Sequence, residues 1–415
     1  MARARSVRWL LVGAAAIVLL AAVPGRVHAE PGRALFTPTE IEDASGRGLD
    51  RFFASLRKTA ARRPGAVTRI AHYGDSVIVG DLITRHLRKL FQERYGDAGP
   101  GFVLAGMPWD WYRHAGMRIG ASAGWQTYRG ISGGPPDHRY GYGGVTFVTR
   151  STGEHVWITT ENDEGRALKA SIIDVHYLAQ PEGGDIDVLV DGEHVLTLST
   201  SADSGSSAFH AVRVPDGGHR IELRTAGNGE VRLFGVALER EGPGVVYDSL
   251  GVNNACTTML GRIDADHLGE QLGHRRPDLI VLTFGANESN RPGLVARYRT
   301  AVLPAVRQLR RASHGASCLI MAPMDRGMRH DGGEAEPNAL IPTIVEAQRG
   351  IARDTGCAFF DTFAGMGGSG SMRRWVAAGL AGGDMVHPTK EGGALIGREL
   401  FEAVERAFDR YREAH

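Results

Sequence analysis

Three shortages narrow this chain before any motif is read. Cysteine is scarce: Cys256, Cys318 and Cys357 are the three in 415 residues. That is too few for a disulfide-built scaffold, and their spacing fits no zinc pattern. Cys318 and Cys357 both lie in apolar, strand-like runs. They can pair if those strands are neighbours, and two buried free thiols would suit the same sequence. Charge of either sign is not in excess, with 48 basic against 47 acidic residues and a formal net charge of +1. Nothing global therefore points to nucleic acid or an acidic membrane as partner. Long hydrophobic runs are absent beyond the N-terminus. There Arg3, Arg5 and Arg8 precede the apolar run Trp9–Val23 and the small-x-small site Val27-His28-Ala29. This pattern predicts a secretory signal cleaved after Ala29. The run is short for a membrane span, so an uncleaved anchor is the alternative that ranks second. No cysteine near the site supports lipoprotein processing. The mature protein is expected to be exported, periplasmic or extracellular, without a stable membrane span.

What the chain does have is length and glycine. Its 415 residues can bury a large core in two domains, and 56 glycines imply many turns rather than a helical bundle. No internal repeat is visible. In residues 30–67 a helix is expected where Leu49, Phe52, Phe53 and Leu56 share a face. The stretch Thr68–Tyr95 then predicts a strand, a turn at Gly74 and one helix beginning beside Ser76. Its stripe is Val77, Leu82, Ile83, Leu87, Leu90 and Phe91. Between about Trp111 and Gly242 no helix is convincing. Short alternating runs appear instead at 146–149, 155–160, 171–177, 187–190, 210–214, 220–224 and 231–238. Turn signals such as Asp191-Gly192 and Gly227-Asn228-Gly229 separate them, which argues for an antiparallel β-sandwich. After Gly242 continuous apolar runs at 279–284, 317–322 and 358–361 alternate with helical segments near 291–312, 338–354 and beyond Pro388. That alternation implies a parallel, doubly wound sheet. The first strand and helix match this later texture. One α/β domain with a β-domain inserted near its start is the simplest arrangement.

Several motifs match a pattern without its context. Gly120-x-Ser122-x-Gly124 and Gly130-x-Ser132-x-Gly134 satisfy the nucleophile-elbow spacing, but no helix follows either. Gly365-x-Gly367-x-x-Gly370 follows a strand, yet no later strand completes a dinucleotide unit. No P-loop and no HExxH is present. Asp-x-x-His occurs three times. Asp191 and His194 flank an expected hairpin turn, and Asp264 and His267 an expected surface helix. Asp384 and His387 instead lie in a loop before the last helix, which Pro388 can start. There the carboxylate can fix one imidazole tautomer and leave the other nitrogen as a base.

A serine between a strand end and a helix start meets free N–H groups and the positive end of the helix dipole. Ser76 is placed to act as a nucleophile, although serine is also a common helix cap. Gly251 ends an apolar run, and Asn287 lies just beyond another. In open α/β sheets ligands bind outside the carboxyl ends of the strands. Ser76, Gly251, Asn287 and the Asp384–His387 loop all map to that rim.

With these blocks in this order, Gly74-Asp75-Ser76, Gly251, Gly285-Ala286-Asn287 and Asp384-Met385-Val386-His387, the chain resembles the SGNH hydrolase (GDSL esterase/lipase) superfamily. More narrowly it resembles periplasmic peptidoglycan O-acetylesterases, which insert a carbohydrate-binding-module-like β-sandwich between the Ser and Gly blocks. The run Met366–His387 is similar to their approach to the Asp–His pair. The resemblance implies a doubly wound three-layer sandwich with a flavodoxin-like parallel sheet and an inserted antiparallel β-sandwich. The expected divisions are a signal peptide over 1–29, hydrolase over 30–105, insert over 106–244 and hydrolase over 245–415. It further implies Ser76, Asp384 and His387 as the catalytic set. The N–H groups of Ser76 and Gly251 and the Asn287 amide would form the oxyanion hole, with no cofactor and no metal. Asp75 is read as a turn residue. The expected substrate is an acetylated polysaccharide, peptidoglycan first. Trp109, Trp111, Tyr112, Trp125 and Tyr128 cluster where the insert begins, suited to sugar stacking or to packing. Alternatives are a lipase on other acyl esters, an acetyltransferase, or a glycan-binding protein on an inactive hydrolase fold.

Overall fold

The computed structural model describes residues 33–131, 133–160, 168–328 and 335–415. The expected signal peptide and Ser132 lie outside them. Five parallel strands form the central sheet: Val67–Gly74, Gly244–Gly251, Leu279–Thr283, Ser317–Met321 and Ala358–Phe360. Numbered along the chain they lie in the order 2-1-3-4-5, the flavodoxin-like arrangement. Alternate side chains point to opposite faces of a strand, and here both faces are covered. Ile70, Val281 and Leu319 meet Phe52, Leu56, Leu87, Phe91 and Leu400 in one core. Ala71, Ile280, Leu282 and Ile320 meet Leu272, Val306, Ile344 and Ile351 in the other. Helices Asp50–Ala60, Thr84–Tyr95 and Lys390–Ala414 thus cover one face, and Ala265–Arg275, Tyr298–Ala312 and Ile341–Thr355 the other.

The insert is two antiparallel sheets. One runs Ser206–Gly217, Ala170–Ala179, Val231–Glu239, Val145–Thr149, Gln126–Arg129 in spatial order, and the other Arg118–Ala121, His155–Thr159, Arg220–Thr225, Asp185–Val190, Glu193–Ser199. Strands of the second sheet alternate as the period of two requires, with Val156, Ile158, Ile186, Val188, Ile221 and Leu223 buried. Val231–Glu239 is buried at every position because the parallel-sheet part lies behind it. No helix occurs among the described residues from 111 to 242. Gly101–Leu104 pairs with Val231–Glu239, so the antiparallel part begins ahead of the expected division at 106. Phe102 N–H also donates to Asp248 at 2.8 Å, which makes this strand the seam between the two parts.

Three expectations need correction. The single helix after Ser76 is two, Ser76–Val79 and Thr84–Tyr95. Asp81 breaks it with a left-handed backbone, φ +55. Its buried carboxylate pairs with Arg88 at 3.0 Å and accepts the Ala115 N–H at 2.8 Å. His267 is not on a surface helix: it is buried, bonded to Ser207 Oγ at 2.9 Å and the Tyr140 carbonyl at 2.8 Å. Asp264 caps that helix through the His267 N–H. The last helix starts at Lys390 and is capped by Thr389 rather than opened by Pro388. Cys318 and Cys357 form a disulfide where adjacent strands bring them together, and Cys256 is a buried free thiol.

Candidate active site

Strand register aligns the residues that carry the site. Gly74 lies opposite both Gly251 and Thr283, Thr283 opposite Met321, and Met321 opposite Phe360. All five strands therefore end on one rim, and the segments after them share it. Ser76 opens a one-turn helix whose N-cap is Asp75, accepting the Val77 N–H at 3.0 Å. The capping role that serine often takes thus belongs to its neighbour, which leaves the hydroxyl free to point elsewhere. Ser76 Oγ lies 2.8 Å from His387 Nε2. His387 Nδ1 lies 2.7 Å from Asp384 Oδ2.

The loop is built to hold that pair. Met385 takes a left-handed backbone, φ +64, and Asp384 Oδ1 accepts the N–H groups of Val386 and His387 at 3.0 and 3.1 Å. Burial would raise the Asp384 carboxyl, but the bonds from His387 and the two backbone groups hold it below its ordinary value. It is therefore an anion at neutral pH. The Asp384 and His387 side chains are 51% and 40% exposed, so the imidazole is open to solvent.

Gly251 shows why no side chain fits there. A Cβ would meet the backbone N of Val79 at 2.4 Å, so the strand end packs directly on the Ser76 turn. Val252 N–H donates to the Gly74 carbonyl at 2.9 Å and fixes that approach. Asn287 is half-buried, and its Nδ2 donates to the Ala255 carbonyl at 2.9 Å. An amide has two N–H groups, so one remains for a ligand. Glu288, which the motif search passed over, braces both segments. Its carboxylate accepts the N–H and hydroxyl of Thr257 at 2.7 and 2.8 Å and the Gly285 N–H at 3.1 Å. Its place directly after Asn287 was the one available signal.

Other motif residues are held in contacts of their own. Ser122 Oγ bonds Glu154 and accepts the His155 N–H at 2.9 Å, tying two sandwich strands. Asp191 pairs with His219 at 2.7 Å, and His194 with Asp187 at 3.3 Å. Gly367, Gly368 and Gly370 form a left-handed turn ahead of helix Ser371–Ala377. Of the five clustered aromatics, Trp109 and Tyr112 are buried and Trp125 and Tyr128 pack on the core, while Trp111 is half exposed. One group among the described residues presents ligand atoms close together: Asp174, His176 and His274. His274 and His176 both bond Asp174 Oδ2, at 2.6 and 3.2 Å. A metal on His176 Nε2 would shift the ring proton to Nδ1, which is buried with no acceptor. The triad is a hydrogen-bonded contact between strand Ala170–Ala179 and helix Ala265–Arg275.

A serine, a histidine and an aspartate in hydrogen-bonded series on the rim of a 2-1-3-4-5 sheet invite comparison with known proteins. Residues 205–395 match the GDSL-like lipase/acylhydrolase family. The chain carries an SGNH/GDSL hydrolase domain. That makes it a carboxylic ester hydrolase. The family match starts after Ser76 in the chain, so the serine rests on the geometry above. A solved peptidoglycan O-acetylesterase is similar to this hydrolase over 89% of this chain and 99% of that one, at 23% identity and a TM-score of 0.75. The likeness therefore spans the insert as well as the parallel sheet. A family two carbohydrate esterase from Cellvibrio japonicus is 14% identical over 71% of this chain and 98% of that one, with a TM-score of 0.28. A salicylyl-acyltransferase from a tetracycline biosynthetic pathway is also 14% identical over 71% and 98%, with a TM-score of 0.26. Comparison with curated proteins returns no match.

Proposed function

We propose that this hydrolase is an exported serine esterase that removes O-acetyl groups from a cell-envelope polysaccharide, peptidoglycan first. The observation that carries the mechanism is the unbroken chain from Asp384 through His387 to Ser76, at 2.7 and 2.8 Å. Ser76 Oγ attacks the acetyl carbonyl while His387 Nε2 takes its proton, and Asp384 stabilises the imidazolium. The carbonyl oxygen becomes an oxyanion beside the N–H groups of Ser76 and Gly251 and the free N–H of Asn287. Collapse expels the sugar hydroxyl, which receives the proton from His387 and leaves an acetyl-enzyme. Water, activated by the same histidine, then releases acetate. No step calls for a metal or organic cofactor.

The substrate rests on different ground. The peptidoglycan O-acetylesterase that shares this fold also shares the two-part organisation. Export is supported by the charged, apolar and small-residue succession at the N-terminus. A disulfide agrees with an oxidising compartment. No helix among the described residues is long and apolar enough to cross a membrane.

Acetate release from O-acetylated peptidoglycan, acetylated xylan and p-nitrophenyl esters tests both parts. Acetylated polymer and p-nitrophenyl acetate are expected to be cleaved. Ser76→Ala and His387→Ala should each lose about 10³-fold or more in kcat, with the double variant little worse. A preference for long acyl chains would sink the acetylesterase reading.

A further inference from the structure

Beyond strand Ser317–Met321 the chain crosses the rim as Ala322-Pro323-Met324-Asp325-Arg326-Gly327, a stretch that no motif marked. Arg326 Nη1 donates to the carbonyl of Ala286, the residue before Asn287, and to Ser289 Oγ at 3.3 Å. The Arg326 carbonyl accepts the Asn338 N–H at 2.8 Å, and Asn338 Nδ2 reaches Ser289 Oγ at 3.1 Å. Gly327 N–H donates to the carbonyl of Met385, the residue after Asp384, at 2.9 Å. Two consecutive residues therefore bond both segments that complete the site around Ser76.

The guanidinium also faces carboxylates. Arg326 interacts electrostatically with Asp75, beside the nucleophile, and with Asp384. It lines a narrow cavity behind the serine together with Asp75, Ala286 and Val386. Its Nε and Asp75 Oδ2 are both buried without a hydrogen-bond partner. Two more carboxylates lie close. Glu288 shares the Ala286–Ser289 turn, and Asp325 points away to bind the Met372 N–H at 2.8 Å. Asp325 thus anchors the crossing segment from its far side.

Given the Ser76 mechanism proposed above, we infer that Arg326 is a positioning residue for ester cleavage. Its Nη1 holds the Ala286–Asn287 turn where Asn287 meets the oxyanion, and its charge acts on Asp75 and Asp384. Acyl transfer builds negative charge on the carbonyl oxygen near the Asp384 carboxylate and the buried Asp75 carboxyl. A fixed, fully charged cation among them lowers the cost of that charge without reorganising. Lysine would keep the charge, but a single ammonium has no planar fork with which to hold the turn and face two carboxylates together.

The test uses Arg326→Met and Arg326→Lys on p-nitrophenyl acetate, with thermal melting of each variant. Arg326→Met is expected to lose about 10²-fold in kcat, the scale of a 1 Å misplacement, with KM within about twofold. Removing a cation favours the protonated form of a nearby base, so the acid limb of kcat/KM should move to higher pH. Arg326→Lys should restore the limb but recover little kcat, while melting near the wild type. Wild-type kcat and pH profile in Arg326→Met would overturn the inference. So would equal losses in both variants that follow the fall in melting temperature, with the limb unmoved. Ester cleavage that survives Ser76→Ala would instead overturn the nucleophile reading.

Discussion

Asp75 and Ser76 are neighbours with opposite electrostatic demands. The serine turns toward His387, whereas Asp75 turns inward, and burial together with the charge of Glu288 pushes its carboxyl up to about 7. The ordinary value is 3.8, so between about pH 4 and 7 the folded chain keeps a proton that the unfolded chain releases. Stability must fall as pH rises through that window, with a slope of up to about 1.4 kcal/mol per pH unit from this group. Asp75→Asn can still cap the Ser76 helix through the Val77 N–H and removes the titration. Urea midpoints at pH 4.5 and 7 should therefore separate more widely in the wild type than in Asp75→Asn. Parallel changes in the two proteins would count against a buried protonated Asp75. At this scale the sequence displayed the groups proposed to react and hid their supports. Ser76, Asp384 and His387 stand in recognisable contexts: a strand end, a helix start and a loop. Glu288 and Arg326 act through backbone groups of other loops, and no spacing rule announces such partners.

Elements meet tightly where strand Gly244–Gly251 ends against helix Ser76–Val79. A methyl at Gly251 would approach the Val79 N to 2.4 Å and the Ile78 carbonyl carbon to 2.7 Å, both backbone atoms that cannot swing aside. Gly251→Ala must therefore move the one-turn helix, and Ser76 with it. We expect kcat to drop by 10²-fold or so, in keeping with an ångström-scale shift, and overpacking to destabilise by about 1–3 kcal/mol. Steady-state kinetics with a urea titration separates the two effects, and an unchanged kcat would show that the turn tolerates the methyl. Element type was legible where one force dominated. Continuous apolar runs gave the parallel strands at 279–284 and 317–322, and the period of two gave 155–160 and 220–224. The helix break was not legible, because the stripe from Val77 to Phe91 keeps its period across Gly80 and Asp81. What interrupts it is the Asp81–Arg88 pair, seven residues apart, which periodicity does not weigh. Glu193–Ser199 was missed for the opposite reason: it is an edge strand with most side chains in solvent, so its apolar alternation is weak.

Across the whole molecule, the insert and the hydrolase are joined by a buried charge network. Arg275 donates to both oxygens of Asp248 at 2.9 Å and also bonds Glu239, the last residue of strand Val231–Glu239. Arg69 on the first parallel strand reaches Glu239 at 2.7 and 2.8 Å, and Asp248 also accepts Phe102 N–H and Tyr142 O–H from the insert side. The switch in texture near Gly242 located the two parts in the sequence, but their joint draws on residues up to 206 positions apart, Arg69 to Arg275. Burial would raise the Glu239 carboxyl, yet Arg275 and Arg69 hold it down to about 2. Its contribution is therefore complete above its ordinary value of 4.5 and is lost as pH falls toward 2. Arg275→Met leaves two carboxylates buried with too little compensation, which should destabilise by about 3–5 kcal/mol at pH 7. Those carboxylates would then take up protons more readily than in the unfolded chain, so the deficit should shrink as pH is lowered from 7 to 5. Because the network spans both parts, tryptophan fluorescence and ester cleavage should be lost at one urea midpoint in the wild type. In Arg275→Met the two midpoints should separate. Coincident midpoints in the variant, or a deficit that does not shrink at pH 5, would mean that apolar packing at the seam couples the two parts without Arg275.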